Sequence, residues 1–213
     1  MKDITRVRGR QGEQKGFTIV ELLISLAVFS FVMVTIIIAF TQIFASYNTA
    51  IYRKTVNDNA RNLMSDITAV LRTSSQGSSI VTSDTGNGRL CIGGTSYVWN
   101  AVGGGTANTV NGSGKVNVVK ITGDDGQACS TAGNNITTGG TVTSMFNNQV
   151  GIQSLTVTAV TGLPNLYQVT LTTTTNNSVF LNASGKCKYV GTQAGSQFCS
   201  QVTLSQVTGL LNE

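Results

Sequence analysis

Few residues of this sequence are placed to do chemistry, and the most telling is one carboxylate. Glu21 stands just inside a long apolar run, in the stretch KGFTIVELL. A charge near the start of such a run costs a few kcal/mol unless it is paired or lies at headgroup level. Solvation at headgroup level is the plain account of Glu21. The functional account needs a positive partner. A cut between Gly16 and Phe17 would create an α-amine one helical turn from Glu21. Among parallel helices, Glu21 of one copy could meet the Phe17 amine of another, and pairing in a low-dielectric core rewards one axial register. The four cysteines, Cys91, Cys129, Cys187 and Cys199, are even in number and suit disulfides in an oxidising compartment, with free buried thiols as the alternative. The simplest of the three pairings is Cys91–Cys129 with Cys187–Cys199. Asp124 and Asp125 lie between Gly123 and Gly126; two such carboxylates offer calcium ligands, but more often they make the turn. The chain has no His, which removes most zinc and triad chemistry, so no catalytic residue, metal or cofactor is expected.

These residues need a membrane-crossing element to position them. Residues 1–16 carry Lys2, Arg6, Arg8, Arg10 and Lys15 against Asp3 and Glu13, so the leader supplies +3 of the formal +5. Leu22 to Phe40 then runs without a charge, which at about 1.5 Å per residue covers one bilayer core of about 30 Å. Positive residues before the span keep the N-terminus cytoplasmic and send the head across. A cleaved signal peptide fits poorly, because the apolar region is long and Ala45 is a weak cleavage candidate. An uncleaved signal-anchor leaves Gly16 and Glu21 unexplained.

The segment KGFTIVELLISLAVF resembles the N-terminus of type IV pilins and type II secretion pseudopilins. The likeness spans about 30 residues: a basic leader, Gly, an aromatic residue, Glu four residues on, then the apolar run. The resemblance implies cleavage between Gly16 and Phe17 by a prepilin peptidase in the inner membrane. It also implies N-methylation of Phe17, an assembly role for Glu21, and contacts with other pilin subunits through the helix. Major pilins often carry a proline midway along this helix, whereas residues 30–38 read SFVMVTIII; this favours a minor pilin or pseudopilin. ARNLMSDITAVLR further resembles the same region of J-type minor pseudopilins and of minor pilins from type IVa and competence systems.

From Phe17 to Gln76 there is no Gly or Pro; from Gly77 onward there are 21 of the 24 glycines and Pro164. This shift marks helix followed by strands and turns. The expected parts are a leader at 1–16, a transmembrane half-helix at 17–40, an amphipathic half at 41–75 and a globular β-rich head at 77–213. Ile43, Tyr47 and Ile51, then Val56, Ala60, Leu63, Met64, Ile67, Val70 and Leu71, form a stripe at helical spacing, expected to pack on a sheet. Strands are expected at Ser79–Thr82, Arg89–Ile92, Ser96–Val102, Lys115–Thr122, Val150–Val160, Leu166–Thr175 and Phe198–Gln206, with GLPN as the hairpin turn between the two longest. Tyr97 and Trp99 are core candidates. The fold class is α+β, a long helix laid on an antiparallel sheet.

The leading expectation is a structural subunit that primes, caps or completes a filament, resident in the inner membrane before assembly and then in a surface or periplasmic filament. A pilus-borne adhesin, a DNA-uptake pilin and an uncleaved surface domain are the rivals. A charge of only +2 beyond the leader, and no basic cluster in the head beyond Lys186 and Lys188, weigh against nucleic acid.

Overall fold

The computed structural model describes residues 16–74, 78–82, 86–163, 165–188 and 195–210. The leader before Gly16, Pro164 of the expected hairpin turn, and residues 189–194 of the segment between Cys187 and Cys199 lie outside these. Helix α1 spans Ile19–Thr73, as expected from the absence of Gly and Pro. Strands follow in the order β1 (Ser78–Thr82), β2 (Gly88–Ile92), β3 (Thr95–Trp99), β4 (Thr109–Val110) and β5 (Val118–Thr122). A short helix α2 (Gln127–Ser130) precedes β6 (Asn135–Ile136), β7 (Thr141–Ser144), β8 (Val150–Ala159), β9 (Leu166–Thr175) and β10 (Gln201–Gly209). The contacts divide the chain after Phe44 into two units, each taken by itself below.

In the first unit, every described residue from Gly16 to Phe44 is exposed. The helix is long and apolar enough to cross a membrane. Its few hydroxyls are satisfied within the helix: Ser25, Ser30, Thr35 and Thr41 donate to the carbonyls of Leu22, Leu26, Val32 and Ile38 at 2.7–2.9 Å. A lipid solvent requires this, because it offers polar groups no partner.

The second unit is the head with its length of α1. An antiparallel sheet has the order β1-β2-β3-β5-β7, a second has the order β10-β9-β8, and β4 and β6 form a short parallel pair. The stripe of Val56, Ala60, Leu63, Met64, Ile67 and Leu71 is buried against Leu90, Ile92, Tyr97 and Trp99 of the first sheet and Leu155, Val157, Val169 and Leu171 of the second. Tyr97 and Trp99 are fully buried. The first sheet is covered on both faces. Alternation turns Cys91, Val98, Val119 and Ile121 to the far face of the first sheet, where Val110, Ala128 and Ile136 cover them. Strands of two residues between glycine-rich loops carry no period, so this cover left no trace in the pattern.

The hairpin of β8 and β9 forms as expected, with a bulge between Ile152 and Ser154. Its turn uses positive φ at Gly162 and at Asn165, a residue type that tolerates it. Two expectations need correction. Ser96–Val102 stops at Trp99, because Asn100 turns its side chain to the carbonyls of Asn108 and Val116 at 2.9 and 2.6 Å. The apolar stripe is not packed throughout: Ile43, Tyr47 and Ile51 remain exposed, and burial starts at Val56. Ile67→Ala should therefore lower the unfolding free energy by about 2–5 kcal/mol, and Ile43→Ala should change it by less than about 0.5 kcal/mol. Denaturant titration of the full chain in detergent measures both, and equal effects would contradict this packing.

Candidate assembly site

The N-terminal site is built by the start of α1. Thr18 caps the helix: its Oγ1 accepts the backbone N–H of Glu21 at 3.2 Å, and its carbonyl accepts from Leu22 at 3.2 Å. Thr18-Ile19-Val20-Glu21 is the Ser/Thr-x-x-Glu pattern of a capping box, a signal legible in the sequence itself. Glu21 lies in the first turn, where the helix dipole favours a negative charge. Its carboxylate accepts no hydrogen bond from the described residues. Phe17 is 80% exposed. A Cβ built on Gly16 would meet nothing within 4 Å, and its φ is not in the left-handed region, so the fold itself does not ask for glycine there.

In the head, polar side chains are engaged in holding the fold. Asp124 is buried, and its carboxylate accepts from Ser96 Oγ and the Ala128 N–H, each at 2.7 Å, and from Thr138 Oγ1. Both oxygens thus serve donors that tie β3, α2 and the loop after β6 together. Asp125 is exposed at a positive φ, so the acidic pair makes the turn. Among the described residues no three His, Cys, Asp or Glu side chains are grouped as a metal would need. The same corner carries the disulfide Cys91–Cys129, which joins β2 to α2, while Cys187–Cys199 closes the C-terminal loop.

Two further anchors had no signal in the pattern. Arg89 is buried on β2 and donates to the carbonyls of Ala128 and Thr131 at 2.8 and 2.7 Å, and to that of Gly133; burial pulls it below the usual arginine range. Asp66 on α1 accepts from Tyr97 Oη at 2.7 Å and pairs with Lys120 Nζ at 2.8 Å. Burial, and then the Asp66 carboxylate, push the Tyr97 hydroxyl well above the ordinary tyrosine range.

Residues 13–37 match the family described as the prokaryotic N-terminal methylation motif. This motif is the signature of type IV pilins and pseudopilins, which are structural subunits, and it covers Gly16, Phe17 and Glu21. No curated protein matches the chain. No solved structure matches it either. The chain thus carries the mark of a prepilin-peptidase substrate, anchored by its apolar helix.

Raised in the folded state, the Tyr97 pKa links stability to alkaline pH. Below about pH 10 the hydroxyl is protonated whether the chain is folded or unfolded, and this stabilisation is fully present. Above that pH the unfolded chain loses the proton first, so stability falls. Tyr97→Phe should cost about 1–3 kcal/mol at neutral pH and should make the alkaline decline shallower by one proton. Unfolding titrations between neutral pH and pH ~11 measure this; an unchanged slope would contradict the assignment.

Proposed function

We propose that the chain is a minor pilin or pseudopilin. In this reading a prepilin peptidase removes residues 1–16, the Phe17 amine is methylated, and the subunit leaves the inner membrane to prime, cap or complete a type IV pilus-like filament. The single observation that carries the reading is the methylation motif placed on the capped start of an apolar helix. Three features of the geometry support it. Among the described residues nothing crowds Gly16, which leaves the stretch before Phe17 open to a peptidase. Glu21 holds a carboxylate with no partner among the described residues, at the point where cleavage would create amines on neighbouring copies. Ile43, Phe44, Tyr47 and Ile51 are exposed beyond the uncharged span, and parallel helices in a filament would cover them. Filament order then follows from hydrophobic packing of the helices, with Glu21 and the Phe17 amine fixing the axial register.

Two variants test the proposal. Glu21→Ala should leave processing intact and reduce incorporation into sheared filaments by about tenfold or more, the effect of losing roughly 1.4 kcal/mol or more per contact. Normal incorporation would sink the pairing. Replacing Gly16 by a bulky residue should leave the unprocessed chain in the membrane fraction with its head folded. Normal maturation of that variant would contradict the cleavage site.

A further inference from the structure

The two edges of the second sheet are treated differently. A long edge strand exposes unpaired N–H and C=O groups that template pairing with another chain, and proteins usually blunt it by charge, proline, a bulge or cover. Strand β8 is bulged and joined at Ile152 to Ala101, with the N–H of Val102 donating to the Ile152 carbonyl at 2.8 Å. Among the described residues strand β10 has neither device. Its sequence QVTLSQVTG has no charge and no proline, and its register with β9 is unbroken. The N–H of Thr175 donates to Ser200, and that of Leu210 to Asn165, which fixes the phase of the ladder. Alternate residues of an antiparallel strand face opposite neighbours. The even-numbered residues are therefore bonded to β9, and the N–H and C=O of Gln201, Thr203, Ser205 and Val207 point away from it. The side chains of these four are exposed.

Helix α1 runs beside β10 in the same chain direction, and a groove lies between them. One cavity of about 190 Å³ elsewhere is small by comparison; along this groove lie one of about 450 Å³ between Arg61–Arg72 and Leu204–Gln206, and one of about 590 Å³ between Arg53–Asn57 and Cys199–Val202. Four exposed cations stand along it: Arg53, Lys54, Arg61 and Arg72. Arg72 Nε donates to Thr208 Oγ1 at 3.2 Å, and Arg61 Nε to Asn57 at 3.3 Å. None forms an ion pair among the described residues; Asp58 is exposed and unpaired, and Asp66 is held by Tyr97 and Lys120.

We propose that the β10 edge and its groove receive an extended segment of a different protein, with carboxylates at every second residue. The outward backbone groups, unbonded among the described residues, supply the ladder, and a period of two places the carboxylates on the side of the α1 cations. A second copy of this chain does not fit. Its described carboxylates are Glu21 and Asp58 on α1, Asp66 and Asp124 in bonds, and Asp125 in a tight turn, and none lies on a strand. A single-stranded nucleic acid would satisfy the cations, but no aromatic ring lines either cavity for its bases to stack on, and the strand edge would stay unpaired.

The test uses the full chain in detergent and fluorescence anisotropy. The probe is a labelled peptide alternating Thr and Glu, long enough to span β10. The comparisons are the same peptide with alternate amides N-methylated, a Thr-Lys peptide, and an oligothymidylate. The Thr-Glu peptide should bind, and N-methylation or exchange of Glu for Lys should weaken it by about tenfold or more. Ser205→Pro, which removes an outward N–H and spares the backbone ladder to β9, should do the same, as should Arg61→Glu with an unchanged unfolding midpoint. Failure of the Thr-Glu peptide to bind, equal binding of the N-methylated peptide, or stronger binding of the oligothymidylate would overturn the proposal.

Discussion

One helical stripe holds the head together. The two main sheets share no strand, and Val56, Ala60, Leu63, Ile67 and Leu71 are the surface on which both close. A sheet becomes stable by burying a hydrophobic face or by packing against a helix, and here both sheets turn their apolar faces to the same helix. Once α1 supplies the common core, polar anchors can be placed around it. Asp66 lies on the same helix and reaches Tyr97 and Lys120 on the first sheet, so the pair also fixes which turn of the helix meets which strand. Behind that sheet, Asp124, Arg89 and the Cys91–Cys129 bond hold a cover that is short of apolar residues. The glycine-rich loops can then remain irregular without loss of the core.

The other part of α1 obeys a different solvent. Its hydroxyls close on their own helix carbonyls, and its apolar side chains face outward on all sides. Against that background Glu21 is the one charged exception, fixed in position by the cap at Thr18. A carboxylate in this place is expensive in lipid and useful in a bundle of parallel helices, where it can be paired.

Much of this was legible in the sequence, and the failures have physical reasons. Absence of Gly and Pro outlined α1 to within a residue or two. Alternation within Tyr167–Leu171 and the β-branched threonines after it outlined β9 from Leu166 to Thr175, with Val169 and Leu171 in the core. Strand β7 was missed because TVTS is exposed throughout and has no buried face to produce a period. The stripe from Ile43 to Ile51 has the same spacing as the buried one, so spacing alone could not show where packing begins. Thr18 was readable as a cap from Thr-x-x-Glu. Arg89 was not, since its partners are backbone carbonyls some forty residues away. The basic groove was likewise hidden: its cations recur along α1, and only the fold sets β10 beside them.

The central claim is that the stretch KGFTIVELL first releases an amine and then pairs it with Glu21. The most direct measurement is the mass of the N-terminal peptide of the native protein recovered from a filament-enriched fraction. The account predicts a peptide that begins at Phe17 and carries a methyl group on its amine. A peptide that begins at Met1, or one that begins beyond the apolar run, would contradict it.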